Sequence, residues 1–365
     1  MAVLILNMSN VQIKHVLEKH PFLYSKIRVL SRWGQACMRI SHDVNFFKCF
    51  VSAQLRLRRS LGRPVLLTLE PTNVCNLKCP VCETGCGELE RTPVMMSLAE
   101  FKSVLDQFDD NLKMLYLYFM GESFLNKDIY KMIRYAAEKN LYVSICTNGE
   151  YVNGRELIDS GISEIQFQIG GATQETHALY RQNGDLAKTL FRVRETVAAK
   201  EEASGRRHGK ARVELGFILM KHNEDQISDF LDLARNLEVD SWQIIKPCVR
   251  TIEQGKKYLP ANQQDWVYDP ESFGRGALKM RNPPRNYCEW IYSTVTVQAN
   301  GDVVPCCRDP KGQYVLGNVF QDHIYDIWNN EKYLSLRNSI GVRQQIIDLC
   351  KLCCGYSIPV ITQKG

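Results

Sequence analysis

The sequence predicts an α/β chain: an open, partial (βα)6 barrel of the TIM type, with a basic helical segment before it and a small cysteine-rich domain after it. Three observations carry this. From Leu66 onward, β-rich apolar runs alternate with amphipathic helical stretches, the signature of βα units around a parallel sheet. Six such runs are too few to close an eight-stranded barrel, so the barrel stays open, with its chemistry at the C-terminal strand ends. Charge and cysteine are also unevenly spread. The first 64 residues hold four Lys and seven Arg against Glu18 and Asp43, a net +9 in a chain whose total is +6, and nine of the 14 cysteines fall in two groups.

Taken in order, residues 1–64 form the basic segment. Val44, Phe47, Val51 and Leu55 recur at helical spacing, and Arg56, Arg58, Arg59 and Arg63 gather at its end. Such a helix suits peripheral contact with an anionic membrane or an acidic partner, or packs on the body of the protein with a solvated basic face. No nucleic-acid recognition module is present, and the remaining chain is slightly acidic at −3. The barrel is expected over 65–247, with strands at Leu66 to Glu70, Met114 to Met120, Tyr142 to Cys146, Glu164 to Ile169, Val213 to Met220 and Ser241 to Ile245. Helices are expected at Ser97 to Phe108, opened by a Ser97/Glu100 capping box, at Lys127 to Lys139 and at Asn223 to Leu237. A linker follows over 248–287, then the small domain over 288–356 and a tail over 357–365.

No apolar stretch approaches the roughly 18–20 residues of a membrane helix, and Met1 to Leu6 lacks the features of a secretory signal. A cytoplasmic location is expected, where cysteines serve as thiols rather than as a disulfide framework. Cys37, Cys49, Cys86, Cys146 and Cys248 are scattered and read as small buried hydrophobes. Cys75, Cys79 and Cys82 stand in a C-x3-C-x2-C loop directly after the first strand. Three thiolates are one too few for a closed zinc or cluster site, so a [4Fe–4S] cluster there keeps one iron open to an outside ligand.

This loop resembles that of the radical S-adenosylmethionine (radical SAM) superfamily, and the resemblance runs from about Leu66 to Pro247. It implies a [4Fe–4S] cluster on Cys75, Cys79 and Cys82, beside which lies Val81. It also implies S-adenosylmethionine as cofactor, its cleavage to a 5′-deoxyadenosyl radical, and hydrogen abstraction from a substrate. Met120-Gly121-Glu122-Ser123 is similar to the family's Gly-Gly-Glu-Pro turn, with Glu122 facing the cofactor amine; Met120 and Ser123 depart from it. Thr147-Asn148-Gly149 resembles the turn beside the adenosyl group. Gln168 stands where relatives often carry Ser-x-Asp-Gly, and His177, Tyr180 and Arg181 resemble a helix whose arginine meets the cofactor carboxylate.

The second cysteine group begins Cys288, Gly301, Cys306 at C-x12-G-x4-C and ends Cys350-Lys351-Leu352-Cys353. Spacing alone is compatible with a four-cysteine zinc module. With Gly301 to Cys307, Leu316 to Val319 and Ile327-Trp328, it resembles a shortened SPASM or twitch domain, which implies one auxiliary [4Fe–4S] cluster on Cys288, Cys306, Cys350 and Cys353. Cys307 and Cys354 are adjacent substitutes. A fully ligated auxiliary cluster implies an electron relay and a dehydrogenase-like reaction on a sugar or lipid-like small molecule, fed by a reductant such as flavodoxin or ferredoxin. Peptide maturation is the alternative, as is a non-catalytic iron–sulfur or zinc scaffold. In an epimerase, Cys248 is placed to return a hydrogen atom.

Overall fold

The computed structural model describes residues 44–205, 210–353 and 355 in full and the backbone of 360–364. Most of the 1–64 segment, Cys37, Cys354 and most of the 357–365 tail therefore lie outside the described side chains. The elements, in chain order, are α1 (Val44–Gln54), β1 (Leu66–Leu69), α2 (Leu98–Leu105), β2 (Met114–Tyr116), α3 (Ile129–Glu138), β3 (Tyr142–Thr147), α4 (Gly154–Asp159), β4 (Glu164–Ile169), α5 (Gln174–Tyr180), α6 (Leu186–Glu202), β5 (Arg212–Ile218), α7 (Ile227–Asn236) and β6 (Ser241–Ile245). After the barrel come α8 (Ile252–Tyr258), α9 (Pro270–Gly274), α10 (Trp290–Ser293), β7 (Thr294–Val297), β8 (Asp302–Val304), β9 (Gly317–Asn318), α11 (Ile324–Trp328), α12 (Glu331–Arg343), α13 (Asp348–Lys351) and β10 (Val360–Lys364).

All six expected strands form, and β1 to β6 run parallel in sequential order. β2 stops at Tyr116, short of the expected Met120, because the chain must leave the sheet to make the turn at Gly121. The Ser97/Glu100 capping box is present: Ser97 Oγ accepts from Glu100 N at 3.2 Å, and Glu100 Oε2 accepts from Ser97 N at 2.7 Å. The sheet also extends further than six strands. β7 pairs parallel with β1, from Leu66–Thr294 to Leu69–Val297, and carries β8 and β9, while β10 closes antiparallel on β6. Ten strands thus form one sheet in the order β10-β6-β5-β4-β3-β2-β1-β7-β8-β9.

Strand periodicity sorts the two faces. Leu67, Leu69, Leu115, Val143, Ile145, Ile165, Phe167, Val213, Leu215, Phe217, Val295 and Val297 join one hydrophobic core with the helices. Alternate residues Thr68, Ser144, Gln166, Gln168, Glu214, Gln243 and Thr296 are buried as well, although polar. Polar side chains buried on the face opposite the helices mark the inside of a sheet that curls around them, the interior of an open barrel.

The amphipathic reading of residues 44–55 needs correction. Val44, Phe47 and Leu55 of the expected apolar stripe are exposed, and the helix packs through Cys49, Ser52 and Ala53. Small side chains win because the helix lies hard against the loop that returns along it: a Cβ on Gly62 would stand 2.4 Å from Cys49 Sγ, and Leu61 N donates to Ser52 Oγ at 2.9 Å. Arg58 pairs with Glu331 and Arg63 with Asp109, so part of the basic cluster docks on the chain itself. Among the described residues no helix is long and apolar enough to cross a membrane.

Candidate active site

The cysteine loop leaves the C-terminal end of β1 and is held from three sides. Glu122 N donates to Val74 O at 2.8 Å, Lys78 N donates to Gln182 O at 3.0 Å, and Asn148 Nδ2 donates to Asn76 Oδ1 at 2.9 Å. The turns after β2, β3 and α5 therefore converge on one loop, as expected for active sites built at strand C-termini. Gly121 makes the closest approach. Its φ is +75°, and a Cβ there would lie 2.5 Å from Thr72 O and 2.7 Å from Val74 O. Only glycine fits. Met120 holds ordinary backbone and needs no glycine, and Ser123 replaces proline by donating its hydroxyl to Leu117 O at 3.0 Å.

Glu122 is buried and accepts three bonds: Thr147 Oγ1 at 2.7 Å and Phe124 N at 3.1 Å on Oε1, and Asn148 N at 2.9 Å on Oε2. Burial pushes its carboxyl pKa up, and the Asn148, Thr147 and Phe124 donors and the Arg181 charge pull it back. A carboxylate offers about four lone-pair sites, so Oε2 has room for one further cationic donor. Asn148 and Thr147 thus serve first to fix Glu122 and the cysteine loop.

Burial is the main cause that lifts the Cys75 thiol to about 12, with Cys79 and Cys82 adding to it; burial also raises Cys79, with Cys82 adding and the Arg181 charge opposing. Val81 is buried in the same cluster as Leu77 and Tyr180. Arg181 lies within charge range of Cys75, Cys79, Cys146 and Glu122, and its Nε has no hydrogen-bond partner. Gln168 is similar: its Nε2 faces Cys146, and its buried Oε1 is unpartnered. A Cβ on Gly216, the neighbouring position of β5, would stand 2.3 Å from that oxygen. His177 is buried, and its Nδ1 accepts weakly from Gly170 N at 3.4 Å; burial, then the Arg181 charge, lowers it to about 4.

Two features escaped the sequence. Cys146, read there as a buried hydrophobe, stands on the inner face within charge range of Glu122, Arg181 and Glu214, and burial lifts it to about 12. Glu70, directly after β1, has a fully buried carboxylate that receives Arg91 Nη1 and Nη2 at 2.8 and 2.7 Å, Met120 N at 3.2 Å and Ala299 N at 2.9 Å. Arg91 Nε then donates to Pro310 O at 2.7 Å. This pair ties the exit of the cysteine loop, the Gly121 turn and the C-terminal region together. An acidic residue closing an apolar strand was the available signal.

The second thiol set also converges. Cys306 feels Cys307, Cys288 and Cys353, and Cys350 feels Cys288 and Cys353; burial leads in raising Cys306 well above its ordinary range and Cys350 to about 12. Four sequence-distant cysteines thus meet, with Cys307 also in reach. Cys248 packs in one cluster with Cys75, Cys82 and Leu352. Among the described residues no three His, Cys, Asp or Glu side chains crowd closely enough for a single metal ion. A four-iron cluster is wider than an ion. Thiols that only sense one another, with Arg181 to balance thiolate charge, are donor sets of that kind.

Residues 69–234 match the model of the radical SAM superfamily, and residues 288–354 that of SPASM, an iron–sulfur cluster-binding domain. The chain is 31% identical over 325 residues to the PqqA peptide cyclase of Rhodopseudomonas palustris, covering 80% of each. It is 24% identical over 303 residues to the mycofactocin maturase MftC of Mycobacterium ulcerans, covering 75% of this chain and 77% of that protein. Among solved structures it resembles Streptococcus suis SuiB bound to precursor peptide SuiA, with a TM-score of 0.57, 13% identity and coverage of 90% and 83%. It also resembles BtrN in complex with AdoMet and 2-DOIA, with a TM-score of 0.51, 21% identity and coverage of 81% and 95%.

Proposed function

The chain belongs to the radical SAM superfamily and carries a C-terminal SPASM domain, and from that premise we propose that it abstracts a hydrogen atom from a peptide substrate held between its two cysteine sets. [4Fe–4S] clusters and S-adenosylmethionine are its cofactors; when bound, they supply the electron that generates the 5′-deoxyadenosyl radical and a sink for the electron of the substrate radical. The observation that carries the proposal is the convergence of Cys75, Cys79 and Cys82 with the Glu122 and Arg181 turns, and of Cys288, Cys306, Cys350 and Cys353 with one another, while Cys75, Cys82, Cys248 and Leu352 share one packed cluster.

In this reading Glu122 Oε2 receives the ammonium of the cofactor methionine, using its remaining lone pair, and Arg181 receives the carboxylate. Gln168 Oε1 awaits a donor from the ribose. A relative whose name specifies peptide chemistry, the PqqA peptide cyclase at 31% identity, favours a peptide over the sugar or lipid-like molecule expected from sequence. The buried polar inner face of the sheet favours the small-molecule reading, kept as second. In the redox-neutral variant Cys248, just beyond β6, returns the hydrogen atom. A flavodoxin- or ferredoxin-type reductant supplies the electron.

The test feeds anaerobic, reduced holoenzyme either the peptide fraction or the metabolite fraction of cells grown in deuterated water. Deuterium entering 5′-deoxyadenosine from the peptide fraction supports the proposal. Entry from the metabolite fraction alone establishes the second reading, and Cys79→Ala serves as the blank.

A further inference from the structure

The C-terminal domain buries a cation without giving it a counterion. Arg337, on α12, is 0% exposed. Its Nε donates to Ile291 O at 3.1 Å and its Nη1 to Asn329 Oδ1 at 2.8 Å, both neutral acceptors, while Nη2 is buried with no partner. The guanidinium stacks instead on three rings, its central carbon 4.5 Å from the centre of Trp328, 4.7 Å from that of Tyr333 and 5.4 Å from that of Tyr292. Ring faces offset part of the cost of taking an arginine out of water. An anion would offset more, and among the described residues no carboxylate bonds to it.

The rings that hold Arg337 lead to the second thiol set. Tyr333 lies one turn before Arg337 on the same face of α12, and Tyr292 follows Cys288 by four residues. The bond to Ile291 O fastens the guanidinium to that same stretch. Tyr333 is within charge range of Cys306, and Tyr292 within that of Cys288. The Tyr333 hydroxyl is buried and, like Arg337 Nη2, meets no acceptor. Buried donors left without an acceptor are rare in a finished fold. Two of them on adjacent turns of one helix, beside converging thiols, match what a thiolate-bound iron–sulfur cluster offers: sulfurs that accept hydrogen bonds and a negative charge that grows on reduction.

We propose that Tyr333 and Arg337 set the reduction potential of the auxiliary cluster: the Tyr333 hydroxyl donates to a sulfur on its Cys306 side, and the Arg337 charge stacked behind that ring favours the cluster once it has taken up an electron. This rests on Cys288, Cys306, Cys350 and Cys353 holding the cluster, as in the reading above. Cluster potentials follow net charge and hydrogen bonds to the sulfurs. Both features here stabilise added negative charge, so both raise the potential. In the oxidative step the substrate radical gives one electron to the oxidised cluster and one proton to water, and a higher potential favours that transfer. Tyr333 and Arg337 are thus positioning residues that act through the cluster.

The test reads a potential and needs no substrate, so it stands or fails apart from the deuterium experiment. Full-length Cys79→Ala protein, in which the auxiliary cluster is observed alone, is titrated anaerobically with redox mediators, and the reduced cluster is followed by electron paramagnetic resonance. Tyr333→Phe, Arg337→Gln and Arg337→Lys are each added to it at matched iron content. Tyr333→Phe keeps the ring stack and deletes only the hydroxyl. It is expected to make the cluster about tenfold harder to reduce, a one-electron midpoint lower by about 59 mV, and to remove an exchangeable-proton coupling seen on comparing the reduced cluster in light and heavy water. Arg337→Gln lowers the midpoint at least as far, and Arg337→Lys, which keeps the charge, restores most of it. A midpoint unmoved in Tyr333→Phe overturns the proposal whether or not the Arg337 variants fold, and so does Cys79→Ala protein that holds no cluster. A Tyr333 that merely packs predicts the unmoved midpoint and an unchanged spectrum.

Discussion

Replacing Arg91 by Met tests the junction on which the site depends. The Glu70 carboxylate is 0% exposed and the Arg91 side chain 9%, and every Glu70 lone pair is used: two by Arg91, one each by Met120 N and Ala299 N. Arg91→Met keeps the aliphatic stem and leaves a buried carboxylate without its cation, a change that costs about 3–5 kcal/mol. Loss of the Arg91 Nε bond to Pro310 O adds about 1 kcal/mol. The expected total is about 4–6 kcal/mol, read as a lower urea midpoint at unchanged slope for holoenzyme of matched iron content. Glu70→Gln in the Arg91→Met background removes the stranded charge, so the double variant is expected to recover about 2–3 kcal/mol of that loss. The S-adenosylmethionine Kd also rises in Arg91→Met, because the bond from Met120 N positions the turn that carries Glu122. A loss under about 1 kcal/mol, or single costs that simply add, would refute the reasoning.

Other outcomes follow from the same geometry. Gly121→Ala incurs about 1–2 kcal/mol of left-handed strain and drives a methyl into Thr72 O and Val74 O, so iron content and cofactor affinity both fall, checked by iron assay and equilibrium binding. Cys79→Ala abolishes 5′-deoxyadenosine release and removes about four iron per chain. Cys350→Ala also removes about four but leaves uncoupled cofactor cleavage, as chromatography of 5′-deoxyadenosine will show. His177, lowered to about 4 in the fold from an ordinary 6.5, stays neutral when folded while the unfolded chain takes up its proton first. Stability therefore falls as pH drops from 6.5 toward 4, by up to about 1.4 kcal/mol per pH unit from this group. His177→Gln flattens that slope in urea titrations across the window.

The elements legible in the sequence were those governed by near neighbours. Alternation and helical periodicity located all six parallel strands, the Ser97/Glu100 pair located a helix start, and C-x3-C-x2-C placed three thiols on one loop, because each signal spans a few residues whose geometry the backbone itself dictates. Tertiary structure decided what depends on partners far along the chain. The same apolar spacing in residues 44–55 suits burial or exposure, and the close approach of Gly62 to Cys49 selected the small-residue face for burial. The addition of β7 to the edge of β1, the Glu70–Arg91–Pro310 junction, the turn of Cys146 inward and the stacking of Arg337 on Tyr292 join segments up to 229 residues apart. No local period encodes such pairings. They follow from the order in which strands stack, and that order sets the groups that face the cysteines.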